Sequence, residues 1–319
     1  MKQIIPLAIA VAVVTGCGPA SDLARVCSPD GEACVIVATK EKHGMPLPGP
    51  EPPKTTAKWA RVSLDVKRKR VYDTGDQNIG VYQSLPFAFD VSWAPDSAHV
   101  AYRVVTTLRI VSRDGAVHAA AIVCTNSLIS SFKWISNKEV LVVVKEIDEP
   151  LDMFGYPQHY HGYLAKAKSI KVVRVNLDGR VSERFTQPVN EPTFMFESVG
   201  FQNQEVSPYS DRVAFGDGAA VCVYDDTAGT VVAKAAITGS VEGTWWETKD
   251  KIILGIGLLS SSDRHFASFD LTDSKIQDRT ADLLPLWDGQ WASVDWFRAR
   301  RAERDGASNG GQPIRPETN

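Results

Sequence analysis

The chain has 319 residues, of which 35 are lysine or arginine and 38 are aspartate or glutamate, so its formal net charge is −3 at pH 7. This balance excludes the polycationic character of a nucleic-acid-binding protein, and we predict no nucleic-acid partner. The length is sufficient for one large all-β domain or two ordinary domains, each with a sizeable core.

The first residues have the pattern of a cleaved secretory signal. Lys2 precedes an apolar stretch from Ile4 to Val14, and small residues follow before Cys17. The apolar stretch is too short to span a bilayer, and no other stretch approaches the length of a membrane-spanning helix. We therefore predict an exported protein from which residues 1–16 are removed.

The tetrad Val14-Thr15-Gly16-Cys17 resembles the lipobox of bacterial lipoproteins. The resemblance implies that Cys17 is lipidated and becomes the acylated amino terminus; an ordinary signal peptide with a free Cys17 is the alternative. Three acyl chains hold a protein on a membrane far more firmly than the marginal binding of one. The expected location is the bacterial cell envelope. Gly18 favours the periplasmic face of the outer membrane if the bacterium has two membranes.

After a tether of residues 17–25, two cysteines flank the turn sequence at residues 28–33. A two-residue loop places Cys27 and Cys34 at a hydrogen-bonded pair about 5.5 Å apart, and a four-residue loop places them at the closer pair, about 4.5 Å apart. Either distance permits a bridge, so we predict a Cys27–Cys34 disulfide in an oxidising compartment. Cys124 and Cys222 lie in apolar runs and are predicted to be buried thiols.

From residue 26 the chain repeats a unit of about four short strands joined by tight turns. The clearest copy occupies 89–103 and 108–117, and the other copies begin near residues 27, 131, 206 and 243. The dipeptides Asp114-Gly115 and Asp178-Gly179 favour the positive φ of hairpin turns. Aromatic residues at equivalent positions are predicted to pack between the repeats; these are Trp93, Trp134, Trp245 and Trp246.

Each unit corresponds to one blade of a β-propeller. The predicted fold is all-β, a single β-propeller over residues 26–297 with five blades, six being the alternative. Little room precedes the first blade, so residues 291–297 are predicted to complete it as an inner strand, which removes exposed sheet edges. Insertions are predicted at 45–53, which is proline-rich, and at 146–169. Residues 298–319 are predicted to be a disordered tail.

The segments Trp93-Ala94-Pro95-Asp96-Ser97 and Ser28-Pro29-Asp30-Gly31 are similar to the Ser-Pro-Asp-Gly turn of TolB-type β-propeller repeats. The resemblance extends over about residues 26–297, but its motifs are confined to these turns. TolB proteins have an additional amino-terminal α/β domain and no lipid anchor. The resemblance therefore implies the fold and not the role, because propellers serve both binding and catalysis.

The sequence does not indicate a particular catalytic chemistry. No room remains for an α/β-hydrolase domain, so serine hydrolysis is not expected. A glycosidase needs two carboxylates at a suitable separation, and the candidates by position are Asp90, Glu205, Glu242 and Asp295. We predict a noncatalytic binding or scaffold protein without a cofactor, with a carbohydrate-active envelope enzyme as the alternative.

The second insertion concentrates aromatic and histidine residues. Long loops on rigid scaffolds commonly carry recognition, so we predict a binding loop formed by Phe154, Tyr156, His159, Tyr160, His161 and Tyr163. A metal site at His159 and His161 is the alternative. Zinc prefers four ligands, however, and no cysteine or further histidine lies nearby in the sequence. We predict no metal, and as partner an envelope protein or a cell-wall component.

Overall fold

The computed structural model describes residues 23–43, 56–75, 77–80, 91–104, 107–122, 127–147, 164–194, 205–217, 220–257 and 264–287. The chain divides into two compact units. Unit 1 comprises residues 1–188 and 194–198, and unit 2 comprises residues 189–193 and 199–319. Within the described ranges, no helix is long and apolar enough to cross a bilayer.

Unit 1 contains three antiparallel sheets whose strands pair in chain order. Sheet I consists of β1 (Leu23–Cys27), β2 (Ala33–His43), β3 (Thr56–Val66), β4 (Lys69–Asp73) and β5 (Gln77–Gly80), which also pairs with β3. Sheet II consists of β6 (Val91–Trp93), β7 (His99–Val104), β8 (Thr107–Ser112) and β9 (Val117–Ile122). Sheet III consists of β10 (Ser127–Trp134), β11 (Glu139–Ile147), β12 (Leu164–Asn176) and β13 (Val181–Phe194), of which residues 189–193 belong to unit 2.

Unit 2 contains two sheets of the same kind. Sheet IV consists of β14 (Arg212–Gly216), β15 (Ala220–Asp225) and β16 (Thr230–Ala236), and a bridge between Val206 and Val213 adds the position of an inner strand. Sheet V consists of β17 (Val241–Thr248), β18 (Lys251–Ile256), β19 (His265–Asp270) and β20 (Lys275–Asp278). A short helix, α1 (Thr280–Leu283), and a 3-10 helix (Leu284–Leu286) follow.

These sheets confirm the predicted fold class, all-β with the blades of a β-propeller. In every sheet the paired strands are antiparallel, and apart from the β3–β5 pair of sheet I they are consecutive in the chain, which is the arrangement of a propeller blade. Five such sheets occur in the described part of the chain, which agrees with the five predicted blades. Residues 1–22, 291–297 and 298–319 lie outside the described residues, so the signal, the closing strand and the tail stay predictions.

The first blade differs from the prediction in one respect. The prediction assumed that too little chain precedes the first blade to form an inner strand. In the structure, β1 is paired with β2 over its whole length, from Leu23–Ala38 to Cys27–Cys34. This strand needs only five residues, and it begins six residues after Cys17. Sheet I thus already contains an inner strand of its own, whatever the position of residues 291–297.

The second insertion is shorter than predicted. Glu146 pairs with Ser169 and Ile147 with Ala167, so both ends of the predicted insertion belong to the sheet. These end residues alternate between apolar and polar types, and in the sequence this alternation resembles the mixed composition of a loop. The connection between β11 and β12 therefore comprises residues 148–163.

The first hairpin is closed by the predicted disulfide. Cys27 and Cys34 are directly opposite each other in β1 and β2, with their Cα atoms 3.9 Å apart and their sulfur atoms bonded. The Ser28 N–H donates to the Ala33 carbonyl at 2.7 Å, which leaves a loop of residues 29–32. The four-residue alternative is the correct one, and the cysteines occupy the closer type of pair.

The Asp-Gly turns adopt the predicted backbone conformation. Gly115 has φ 93° and Gly179 has φ 76°. Their N–H groups donate to the carbonyls of Ser112 and Asn176, both at 2.9 Å. The left-handed conformation that favours glycine thus closes the turn between the third and fourth strands of sheets II and III.

Three tryptophans occupy equivalent positions and join neighbouring sheets. Trp93, Trp134 and Trp246 each lie opposite the second residue of the following strand. Each indole Nε1–H donates to a main-chain carbonyl of the preceding sheet; the acceptors are Val26 at 3.1 Å, Ser92 at 2.8 Å and Glu205 at 2.9 Å. These indoles and Trp245 are buried, as predicted. The equivalent positions of sheets I and IV hold Cys27 and Val206.

Candidate functional site

Each sheet has two ends that differ in the loops they carry. Because neighbouring strands alternate in direction, the first-to-second and third-to-fourth strand turns lie at one end, and the remaining connections lie at the other. We call these the turn end and the connection end. In unit 1 the turn ends carry short loops such as 94–98 and 113–116, whereas the connection ends carry 44–55, 81–90 and 148–163, which lie outside the described residues.

Sheets I and II have their turn ends side by side. Arg113 of sheet II donates from Nη1 to Asp30 at 2.6 Å and from Nη2 to Glu32 at 2.7 Å, both in the first turn of sheet I. The Ser28 hydroxyl, then the Glu32 N–H and Arg113, lower the pKa of Asp30 to about 2. Such exposed pairs contribute little to stability. They do show that these two sheets point the same way.

Sheet III has the same orientation as sheets I and II. The indole bonds of Trp93 and Trp134 join equivalent positions in successive first strands, β1 to β6 and β6 to β10. An apolar cluster also joins sheets II and III; it includes Leu108, Ile110, Val140 and Val142. The connection ends of all three sheets therefore face the same side of unit 1.

The segment that contains the predicted binding residues begins and ends on this side. It leaves β11 at Ile147 and returns to β12 at Leu164, both at the connection end of sheet III. The side chains themselves lie outside the described residues; they are Phe154, Tyr156, His159, Tyr160, His161 and Tyr163. Cys17 also lies outside, and the chain that follows it enters sheet I at Leu23, again from the connection end.

Two of the four candidate carboxylates of the glycosidase alternative are described, and both are buried. Glu205 is 2 % exposed and Glu242 is 7 % exposed, in unit 2. Carboxylates that cleave a glycoside must flank a bound sugar in an open cleft. Glu205 and Glu242 expose little surface to such a ligand. Asp90 and Asp295 lie outside the described residues.

Sheet II contains a histidine pair that the sequence did not reveal. His99 on β7 and His118 on β9 have ring centroids 5.0 Å apart at an interplanar angle of 79°. Burial first, and then His118, lowers the pKa of His99, although Asp96 and Asp114 act in the opposite direction. In the described ranges no group of three or more His, Cys, Asp or Glu side chains is arranged to hold a metal ion.

Replacing His99 with glutamine is expected to reduce the loss of stability on acidification. Because the folded-state pKa of His99 is lowered, the unfolded chain takes up the proton first, and stability falls as pH drops through the ordinary histidine pKa. Thermal unfolding between about pH 7.5 and about pH 5 measures this change. His118→Gln removes only the second cause and should give a smaller effect, and equal pH dependence in all three proteins would contradict the assignment.

A polar cluster between sheets I and II is a structural link. The hydroxyls of Tyr72 and Tyr102 are 2.6 Å apart, and the charge of the neighbouring Arg109 favours the ionised form of Tyr102. Burial, and then the hydrogen bond to Tyr72, raises the pKa of Tyr102 above its ordinary value. Tyr102 is 1 % exposed, so this phenol stays neutral and unavailable to a ligand.

In unit 2, an aromatic group accompanies the short helices. Trp287 lies edge-on to Phe266 with ring centroids 5.9 Å apart, and the Arg264 guanidinium is 5.3 Å from the centroid of the Trp287 ring. Phe266 in turn contacts Trp245 at a centroid distance of 6.2 Å. Leu283 is buried beside this group, so α1 covers part of sheet V.

No protein-family model and no curated protein matches this chain. Solved structures do. A TolB-like protein from Agrobacterium tumefaciens is 12% identical, with 80% of this chain and 79% of that chain covered and a TM-score of 0.34. The Pan2 WD40 domain from Neurospora crassa is 12% identical, with 69% and 61% covered and a TM-score of 0.38. A protein of unknown function from Bacteroides caccae is 10% identical, with 70% of each chain covered and a TM-score of 0.36. These likenesses concern the fold alone, which the antiparallel sheets of this chain show independently.

Proposed function

We propose that this protein is a noncatalytic, lipid-anchored binding or scaffold protein of the bacterial cell envelope. Cys17 carries the anchor, and the partner is an envelope protein or a cell-wall component. In a bacterium with two membranes, the periplasmic face of the outer membrane is the expected location. The binding residues are those of the 148–163 segment.

The arrangement of sheet III is the observation that supports this proposal most directly. β11 and β12 are paired over nearly their whole length, from Glu139–Asn176 to Ile147–Ala167, and the segment is inserted where that pairing ends. Their central residues, such as Val142 and Val173, are buried. A rigid base with an aromatic-rich connection is a common arrangement for recognition, because the scaffold limits the entropy lost on binding.

Removal of the segment tests the binding site. A variant in which residues 152–163 are replaced by a short glycine-serine linker keeps β12 intact, because that strand begins at Leu164. Partners captured from envelope extracts by the full protein should be lost from this variant. Asn137→Ala, in the exposed turn at the opposite end of sheet III, is the matched control and should retain them. Unchanged capture by the linker variant would refute the assignment.

Replacing Cys17 with serine tests the anchor. The variant has no thiol to lipidate, so nearly all of the protein should move from the membrane fraction to the soluble fraction. Fractionation followed by an alkaline carbonate wash is the measurement. Ser21→Ala changes the tether and not the lipidated residue, and it should remain with the membrane. A Cys17→Ser protein that resists the wash would show that lipid on Cys17 is not the anchor.

A further inference from the structure

The β2–β3 hairpin projects beyond β1 at the connection end of sheet I, while β5 accompanies β3 as far as the Lys58–Gly80 pair. β1 pairs with β2 only as far as Leu23–Ala38, whereas β2 and β3 continue their pairing to His43–Thr56. Five further residue pairs, at about 3.3 Å per residue, extend the hairpin by roughly 16 Å. We call residues 39–43 and 56–60 the projecting ribbon.

The projecting ribbon is basic and contains a tryptophan. Its charged residues are Lys40, Lys42 and Lys58 against a single acid, Glu41. Lys40 is in register with Trp59, and Lys42 shares a face of the strand with Lys40 because successive residues alternate. Lysines are attracted to anionic lipid headgroups, and tryptophan favours the membrane–water interface. The composition therefore complements an anionic bilayer surface.

The ribbon also projects toward the side from which the anchored chain arrives. The chain enters β1 at Leu23 from the connection end, and Cys17 precedes Leu23 by six residues. Six residues span at most about 21 Å when fully extended. A lipid on Cys17 would hold the bilayer within that distance of Leu23, which is comparable with the projection of the ribbon.

We propose that the projecting ribbon binds anionic lipid headgroups of the membrane in which the protein is anchored. This contact turns the connection end of unit 1 toward the bilayer, and it rests on the proposed lipid anchor. The 148–163 segment leaves sheet III at the same end. A partner protein that binds this segment is therefore bound close to the membrane surface. The proposed partner is therefore a membrane-bound protein.

The direct test uses the Cys17→Ser protein without its signal peptide, which isolates the ribbon from the anchor. Sedimentation with vesicles of phosphatidylcholine alone, and with added phosphatidylglycerol, measures binding. The protein should associate only with the anionic vesicles, and added salt should weaken the association. Reversing two charges in Lys40→Glu/Lys42→Glu should lower the partition coefficient by about tenfold or more.

A matched control makes the same charge change elsewhere. Lys249 lies in the turn between β17 and β18 and Lys275 on β20, with side chains 75% and 77% exposed, and Lys249→Glu/Lys275→Glu should leave vesicle binding unaltered. Far-UV circular dichroism verifies that both double variants fold.

Three results would overturn the proposal. These are absence of binding to anionic vesicles, equal binding to neutral ones, and equal loss in the two double variants. Truncation after Phe297 removes the predicted tail, whose first residues include Arg298, Arg300 and Arg301. If binding disappears in the truncated protein and persists in Lys40→Glu/Lys42→Glu, the tail is the lipid-binding element. The tested chain carries no lipid, so failure of lipidation at Cys17 does not affect this measurement and appears only in the fractionation experiment.

Discussion

Replacing Trp246 with alanine is expected to lower the free energy of unfolding of unit 2 by about 3–5 kcal/mol. The side chain is fully buried and is among the largest in the protein interior. It packs in an apolar cluster between sheets IV and V that includes Val221, Val223, Ile252 and Leu254. Alanine would leave a cavity at the junction of the two sheets, in addition to the lost transfer free energy of the indole.

A second substitution separates packing from hydrogen bonding at the same position. Trp246→Phe keeps most of the ring and loses the Nε1 donor, which is 2.9 Å from the Glu205 carbonyl. That carbonyl also accepts from the Ala214 N–H at 2.9 Å, so it stays bonded. We expect a loss of about 1 kcal/mol from the missing hydrogen bond.

Denaturant unfolding followed by far-UV circular dichroism measures both variants. Val232→Ala on β16 is the control, because this valine is 45% exposed and should have little effect. Equal losses in Trp246→Phe and Trp246→Ala would contradict the packing argument and assign the stabilisation to the hydrogen bond.

Gly115→Ala is expected to destabilise unit 1 by about 2–4 kcal/mol, because two separate costs coincide there. Gly115 has φ 93°, a conformation that side chains rarely adopt. A Cβ at this position would also lie 2.3 Å from the main-chain carbonyl oxygen of Val71 in sheet I. The obstacle is a backbone atom and not the end of a flexible side chain, so either the turn of sheet II or the β4 backbone must shift.

Gly229→Ala is the matched control for the backbone contribution. Gly229 has φ 70° in the corresponding turn of sheet IV, and a Cβ there would meet nothing within 4 Å. This variant therefore carries the conformational cost alone, about 1 kcal/mol. Differential scanning calorimetry compares the two proteins. Equal shifts in their unfolding temperatures would show that Gly115 does not hold the two sheets in close contact.

Much of the architecture could be predicted from local sequence. Apolar alternation indicated the strands, and Asp-Gly dipeptides indicated the turns at Gly115 and Gly179. The facing positions of Cys27 and Cys34 followed from hairpin geometry. These features depend on interactions between residues close in the chain, so a short window of sequence contains what determines them.

Other features depend on register between distant strands. His99 and His118 are separated by an intervening strand, and only its pairing on both sides brings their rings together. In the same way, sequence spacing did not distinguish Trp246 from Trp245 as the equivalent of Trp93. Bulges on both sides of these residues in the β17–β18 pairing displace the register, and a repeat counted along the chain does not detect them.

The sequence by itself determined the class of fold, the positions of most strands and turns, and the expectation of an exported chain anchored at Cys17. The tertiary structure decided how far β2 and β3 extend beyond β1 and on which side the long connections lie. It also decided that Glu205 and Glu242 are buried. The reason is physical: turn chemistry and strand alternation are local, whereas strand length, burial and the direction of a sheet are set by pairing with other strands.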